Sequence, residues 1–244
     1  MKNIKIIIEY DGTNYFGWQR QNSQITIQEC IEEALNKVTG ENISVTGSSR
    51  TDSGVHAKGF VANFKTNSTI PPEKFKDALN TKLPSDIVVK FSEEVDLNFH
   101  SRYACKGKTY KYTILNQEQR SALLRNYTYF VKANLNIQLM QEACKYFIGK
   151  QDFEAFKSTG SSVKTSIRTI TELYIERKDN IIEIYVSADG FLYNMVRIIV
   201  GTLIEVGTGK IKPEDIKDII NSKDRNKTGK CVPPQGLILE KVYY

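Results

Sequence analysis

The chain has 244 residues, of which 40% are hydrophobic and 25% are charged, and its net charge is +6. These values are ordinary for a globular protein that buries a sizeable core, and they exclude a disordered or fibrous chain. We see neither an apolar signal segment at the N-terminus nor the roughly 18 uninterrupted apolar residues that a membrane span requires, so we expect a cytoplasmic protein. Four scattered cysteines and two histidines argue against a disulfide framework and a zinc site.

Hydrophobic periodicity in the first part of the chain predicts the order β-α-β-β-α-β. The clearest element is a helix that Thr26 and Glu29 open as a capping box and that Gly40 closes. The other predicted elements are strands at 5–10, 43–47, 59–64 and 87–91, and a helix that starts at Pro71-Pro72.

The second part of the chain predicts a similar succession of elements. They are a strand at 103–115, a helix from Ile137 to Phe147 closed by Gly149, strands at 167–176 and 181–187, an apolar helix at 191–206, a short helix after Pro213, and a strand at 237–243. Together the two parts predict an α+β fold of two ferredoxin-like halves, that is, split-βαβ or RRM-like units with antiparallel sheets. We place the predicted domains at 1–100 and 101–244.

The positive charge is concentrated in one stretch. Residues 100–132 contain seven basic residues and one acidic residue, whereas the rest of the chain is balanced. Five tyrosines lie among these cations, a mixture that suits phosphates and stacked bases. The pattern predicts nucleic-acid binding, and a solvated strand face rich in lysine and tyrosine is the alternative.

A loop dense in small residues, 47–57, brackets Arg50, Asp52 and His56. Small residues allow the backbone to approach a ligand closely. Taken alone, Asp52 could equally cap its own turn. Arg197 adds a second indication, because it lies within the apolar helix and needs an anionic partner there. That partner is either a structural glutamate, such as Glu183 or Glu205, or Asp52 across a central cleft.

Several runs resemble the tRNA pseudouridine synthases of the TruA type. The most specific is Arg50-Thr51-Asp52 with Gly54-Val55-His56-Ala57 after it. The other runs occur in the family's order over almost the whole chain: 10–21, Phe99-His100-Ser101-Arg102, Lys108-Thr109-Tyr110, Gly190-Phe191-Leu192, Met195-Val196-Arg197 and Pro233-Pro234-Gln235-Gly236-Leu237. Ser49 and Ser53 stand where the family commonly has Gly and Ala, which places loop detail in doubt rather than the chemistry.

This resemblance implies an isomerase that converts uridine to pseudouridine at about positions 38 to 40 of tRNA, without cofactor or metal, as a homodimer. It implies that Asp52 is the catalytic aspartate and that Arg50 displaces the target base. It also implies that Tyr110 packs on the flipped uracil and that Arg197 pairs with the aspartate. We assign the contacts with the RNA backbone to Arg20, Arg102, Lys106, Lys108 and Lys111.

Two other functions fit parts of the sequence. A non-catalytic RNA-binding or RNA-chaperone protein would share the fold but would not require Asp52. A metal-dependent nuclease could use Asp52 and His56, but the loop has no further carboxylates nearby to complete a two-metal site. His56 itself is either a general base or a residue that holds the loop by hydrogen bonds.

Overall fold

Helices alternate with mostly antiparallel strands along residues 1–160, 163 and 165–244, the part of the chain that the computed structural model describes. The mixed α+β class is therefore confirmed. Packing divides the chain into two units. Unit 1 consists of 1–106 together with 238–244, and unit 2 consists of 107–237. No helix in the described residues is both long enough and apolar enough to cross a bilayer.

Unit 1 contains the predicted β-α-β-β-α-β order and one additional strand. Its elements are β1 (Lys2–Tyr10), α1 (Ile27–Thr39), β2 (Thr46–Gly47), β3 (His56–Thr66), α2 (Phe75–Asn80), β4 (Ile87–Val95) and the C-terminal strand β10 (Leu237–Tyr243). The strands lie in the order β4-β1-β3-β10, and β2 also pairs with β3. The pairing of β10 with β3 is parallel, and the other pairings of this unit are antiparallel.

Sequence periodicity accounts for the regular elements of unit 1. In β1, Ile4, Ile6 and Ile8 alternate with more exposed residues and are fully buried. The predicted boundaries of α1 are confirmed: the Thr26 side chain accepts the Glu29 N–H, and Gly40 adopts a left-handed conformation with φ 73°. This sheet and helix position the end of β1 and the start of β3, and the Asp52 loop leads directly into β3.

Unit 2 has more elements than the sequence pattern predicts. They are β5 (Gly107–Asn116), β6 (Tyr129–Val131), α3 (Ile137–Cys144), β7 (Gly149–Asp152), β8 (Ile167–Lys178), β9 (Ile181–Ala188), α4 (Met195–Gly207) and α5 (Asp215–Ser222). The strands lie in the order β5-β9-β8-β7, and β6 pairs in parallel with β5. The core side of this sheet packs on α3 and α4.

Several predicted boundaries differ from the structure, among them the start of β5, which is Gly107 rather than 103, and three further cases. The strand predicted at 43–47 is reduced to Thr46–Gly47. Gly149 does not close a helix, because α3 ends earlier and Gly149 begins β7. The apolar helix begins at Met195 rather than at 191, because Asn194 has φ 61° and cannot continue an α-helix.

The grouping of the C-terminal strand also differs from the expected division. Residues 238–244 pack in unit 1, whereas the sequence pattern assigns all of 101–244 to a second domain. The division into ferredoxin-like domains at 1–100 and 101–244 stays a prediction.

Candidate active site

Asp52 lies in a tight turn between β2 and β3. The Val55 N–H donates to the Asp52 carbonyl over 3.1 Å, and Gly54 takes the left-handed conformation that this turn needs, with φ 76°. The Asp52 side chain is half-buried, whereas Arg50 is exposed. The turn therefore gives Asp52 a defined backbone conformation and places its carboxylate at the surface of unit 1.

The segment after β1 fixes the backbone on both sides of Asp52. The Trp18 N–H donates to the Thr51 carbonyl at 3.1 Å, and the Tyr10 and Thr51 hydroxyls are 2.8 Å apart. On the other side of the aspartate, the Gly54 N–H donates to the Tyr15 carbonyl at 3.3 Å. The two sequence runs 10–21 and 47–57 thus form one hydrogen-bonded assembly.

Two glycines make this close approach possible. A Cβ on Gly12 would lie 2.0 Å from the Val55 carbonyl oxygen, and a Cβ on Gly17 would lie 2.4 Å from that of Thr51. Gly17 also has φ 81°, which L side chains adopt only with strain. Each glycine is therefore required where it stands, because any side chain would push the two segments apart.

His56 is buried behind this assembly and is only 3% exposed. Its Nδ1 accepts the Gly12 N–H at 3.0 Å and also lies 3.1 Å from an Asp11 carboxylate oxygen. An Nδ1 that accepts the Gly12 N–H carries no hydrogen of its own, so in this arrangement it does not donate to Asp11. This geometry fits the alternative in which His56 holds the loop.

Tyr110 lies on the core side of the unit 2 sheet. It is 7% exposed, and its ring meets that of Phe191 edge-to-face at 5.1 Å. Tyr112 shares this face, is fully buried, and donates its hydroxyl to the Pro233 carbonyl at 2.8 Å. Burial raises the pKa of Tyr112 well above its usual range. Tyr110 is thus a core residue, and its ring also contacts the segment that leads into α4.

The Arg197 guanidinium has two identified acceptors within unit 2. Its Nε donates to the Val232 carbonyl at 2.7 Å, and its Nη1 donates to Asn194 Oδ1, also at 2.7 Å. One of the structural glutamates considered as a partner, Glu183, instead forms an ion pair with Lys111 at 2.7 Å. The pairing of Arg197 with Asp52 stays a prediction.

The predicted RNA-contacting cations have different surroundings. Arg20 is exposed and pairs with Glu32 at 3.0 Å. Arg102 and Lys106 are exposed, and Lys108 is half-buried at the start of β5. Lys111 is held by Glu183. Arg102 and Lys106 can meet a phosphate directly, whereas Arg20 and Lys111 already have carboxylate partners.

Sequence reasoning overlooked two polar residues beside Arg197. Asn194 and Ser158 are linked by a hydrogen bond of 3.0 Å from Asn194 Nδ2 to Ser158 Oγ. An asparagine directly before an apolar helix was the available signal, but at that position it indicates a helix cap and gives no hint of a contact with an arginine.

Comparison with known proteins places these features in a family context. A model of the tRNA pseudouridine synthase family matches residues 6–104 and 143–244, which include the Asp52 loop and α4. The chain is 64% identical over its full length to the full length of tRNA pseudouridine synthase A 2 of Clostridium perfringens. It is similarly 60% identical to tRNA pseudouridine synthase A of Clostridium botulinum and 56% identical to that of Acetivibrio thermocellus.

Proposed function

Because the chain belongs to the tRNA pseudouridine synthase family, we propose that it isomerises uridine to pseudouridine in the anticodon stem-loop of tRNA. The enzyme is then an isomerase whose substrate and product have the same atoms. We further propose that it works in the cytoplasm as a homodimer, and that its two sheets are ferredoxin-like halves around a central cleft.

The reaction makes specific physical demands. The bond from ribose C1′ to uracil N1 breaks, a bond from C1′ to C5 forms, C5 loses its proton, and N1 gains one. The detached uracil must rotate without leaving the site, which a stacked base cannot do. The target nucleotide is therefore flipped out of the RNA, at a cost of a few kcal/mol.

Asp52 supplies the charged group for this chemistry. An ionised carboxylate can attack the ribose or abstract its proton. The observation that carries the proposal is the fixed backbone on both sides of Asp52, through Thr51 and Gly54. A carboxylate carried on a fixed backbone loses less entropy when the sugar arrives, which favours reaction.

The remaining site residues complete the proposal. Arg50, exposed two residues before the aspartate, displaces the target base from the RNA. Tyr110 packs on the flipped uracil, and Arg197 pairs with Asp52 and keeps its carboxylate ionised. The cations Arg20, Arg102, Lys106, Lys108 and Lys111 contact RNA phosphates.

The test is to incubate unmodified tRNA transcript with the purified protein, without metal or nucleotide, and to map pseudouridine. We expect pseudouridine in the anticodon stem-loop with the wild-type chain and none with Asp52→Asn. The amide keeps the shape of the side chain but lacks its charge, so the Kd for tRNA should stay within about a factor of two.

Asp77→Asn is the matched control, because Asp77 is exposed on α2, where its identified ion-pair partner is the nearby Lys74 at 3.5 Å. This variant should behave as wild type. If Asp52→Asn also formed pseudouridine at the wild-type rate, the protein would not use Asp52, and the proposed chemistry would be wrong. RNA binding without any pseudouridine from the wild-type chain would instead indicate a non-catalytic RNA-binding protein.

A further inference from the structure

Asn194, the residue before α4, has an unfavourable backbone conformation. Its φ and ψ are 61° and 8°, in the left-handed region. Outside glycine this region is energetically unfavourable, although asparagine tolerates it better than most residues. A strained residue persists only where its surroundings hold it in place, so the contacts of Asn194 need an explanation.

Asn194 also makes no helix cap. An N-cap asparagine ordinarily accepts a backbone N–H of the first turn, which stabilises the helix. Asn136 does this in α3, where its φ is −78° and its Oδ1 accepts the Leu139 N–H at 3.1 Å. Asn194 has no such bond. Its conformation and side chain therefore add little to the stability of α4.

The Asn194 amide is used instead to hold Arg197. Its Oδ1 accepts the Arg197 Nη1–H at 2.7 Å, and its Nδ2 donates to Ser158 Oγ at 3.0 Å. A guanidinium only donates hydrogen bonds, so the amide oxygen must be the atom that faces it. The amide therefore has its Oδ1 toward Arg197 and its Nδ2 toward Ser158.

The guanidinium is restrained along a second edge as well. Arg197 Nε donates to the Val232 carbonyl at 2.7 Å. Two hydrogen bonds to different atoms of a rigid planar group fix its plane and its direction. Loss of the Asn194 amide would remove one of these two restraints on the guanidinium.

Ser158 connects this arrangement to the preceding loop. Its N–H donates to the Tyr193 carbonyl at 3.1 Å, in addition to the contact of its hydroxyl with Asn194. Two residues earlier, Phe156 is fully buried in the core. Ser158 is therefore anchored, and it fixes the far end of the Asn194 amide.

We infer that Asn194 is a positioning residue for the isomerisation: it orients the Arg197 guanidinium, and Ser158 acts on Arg197 only through it. The inference rests on the proposed function, in which Arg197 pairs with the catalytic carboxylate. Neither Asn194 nor Ser158 needs to touch the RNA. Loss of the amide should thus slow the chemical step and leave tRNA binding and folding intact.

The decisive variant is Asn194→Gly, because glycine adopts positive φ without strain and the fold is retained. The rate is measured in single turnover, with enzyme in excess over tRNA that carries tritium at C5 of uridine, since isomerisation releases that tritium. The Kd for tRNA and the Tm are measured beside it. We expect the rate to fall at least about tenfold, with Kd and Tm near wild type.

Asn136→Gly is the matched control, because it removes an ordinary cap from α3 in the same unit. It should lower the Tm slightly and leave the single-turnover rate unchanged. A rate for Asn194→Gly equal to that of Asn136→Gly would overturn the inference alone. A wild-type chain that releases no tritium would overturn the proposed function and the inference with it.

A second variant tests the link to the loop. Ser158→Ala should lower the rate about threefold in the wild-type background, because the amide loses its anchor, and should have no effect in the Asn194→Gly background. Additive effects of the two substitutions would show that Ser158 acts independently of Asn194, which contradicts the inference.

Discussion

At the residue scale, the side chains of the candidate site are defined by their neighbours as much as by their own chemistry. Asp52 has a defined position because hydrogen bonds fix its neighbours Thr51 and Gly54. Gly12 and Gly17 matter because they have no side chain: a Cβ on either would collide with a carbonyl of the Asp52 loop. A residue without a side chain thus contributes to the position of a reactive one.

Tyr110 gives a prediction at this scale. Tyr110→Phe should keep most of the activity, because stacking on a base uses the ring face and is worth about 1 to 3 kcal/mol. Tyr110→Ala should lose most of it. Since Tyr110 is 7% exposed and contacts Phe191, the alanine variant should also melt at a lower temperature. The measurements are the rate of pseudouridine formation per folded molecule and the Tm.

Tyr112→Ala supplies the comparison, because Tyr112 lies on the same face of β5 and is fully buried. Both alanine variants should lose stability, but only Tyr110→Ala should lose activity per folded molecule. If the two variants retain equal activity per folded molecule, Tyr110 is a core residue only, and its assignment to the uracil fails.

At the scale of elements, β5 and the residue before it carry three lysines, of which Lys106 and Lys111 lie in different electrostatic environments. Lys106 is exposed, whereas Lys111 is held by Glu183 at 2.7 Å. We expect Lys106→Ala to reduce the slope of log K for tRNA against log salt by about 0.7 to 0.9, the effect of one lost phosphate contact. Lys111→Ala should reduce the slope by less, because a phosphate must compete with the carboxylate.

The salt dependence is measured by tRNA binding at several salt concentrations, and Lys111→Ala with Glu183→Gln separates the two contributions. Equal reductions from the two single lysine variants would mean that the Glu183 ion pair opens when RNA binds. A slope that neither variant changes would remove both lysines from the RNA interface.

The ends of β7 and α5 provide a prediction about pH. Hydrogen bonds from Lys223 and then from Ser166 hold the pKa of Asp152 below its usual range. A carboxyl whose pKa is lower in the folded state stabilises the protein above its ordinary pKa, and this contribution is lost as the pH falls through the lowered value. Asp152→Asn should therefore lower the Tm at neutral pH, and the difference from wild type should shrink in acid.

The measurement is Tm against pH for both chains, with Glu118→Gln as a control that removes an exposed carboxylate from a loop. The Glu118 variant should follow the wild-type curve. A difference between Asp152→Asn and wild type that stays constant down to strongly acidic pH would show that the Lys223 contact does not depend on the charge of Asp152.

The sequence predicts correctly those elements whose boundaries are set by residues close to them in the chain. The Thr26 cap and Gly40 define α1 within a few residues of sequence, and the structure confirms both. The start of α4 was misplaced because Asn194 takes its conformation from contacts with Arg197 and Ser158, which no local pattern contains. The short strands β6 and β7 depend on pairing with a neighbouring strand and have almost no periodicity of their own.

The candidate site likewise has a part that the sequence predicts and a part that it does not. The loop around Asp52 is recognisable because its small residues and its charged residues are contiguous. Its contacts with Tyr15 and Trp18 were not predictable, since they join segments more than thirty residues apart through backbone atoms. Residue identity thus indicates the chemistry, and tertiary structure supplies the reason why the backbone that carries the carboxylate is fixed.

At the scale of the whole molecule, unit 2 is one continuous segment, whereas unit 1 is assembled from both ends of the chain. Ile238 and Leu239 pair with His56 and Ala57 at the start of β3, immediately after the Asp52 loop. The ion pair between Lys58 and Glu240 joins residues that are 182 positions apart. The parallel strand that borders the Asp52 loop therefore comes from a distant part of the sequence.

This strand has a consequence for how the protein is made. A ribosome delivers residues 107–237 before it delivers 238–244, so unit 2 is complete while the sheet of unit 1 still lacks β10. Pairing over such a separation is slow compared with local folding. Unit 1, most of which is translated first, is thus the last to reach its final structure. A nascent chain that already displays the Asp52 loop does not yet have β10 beside the start of β3.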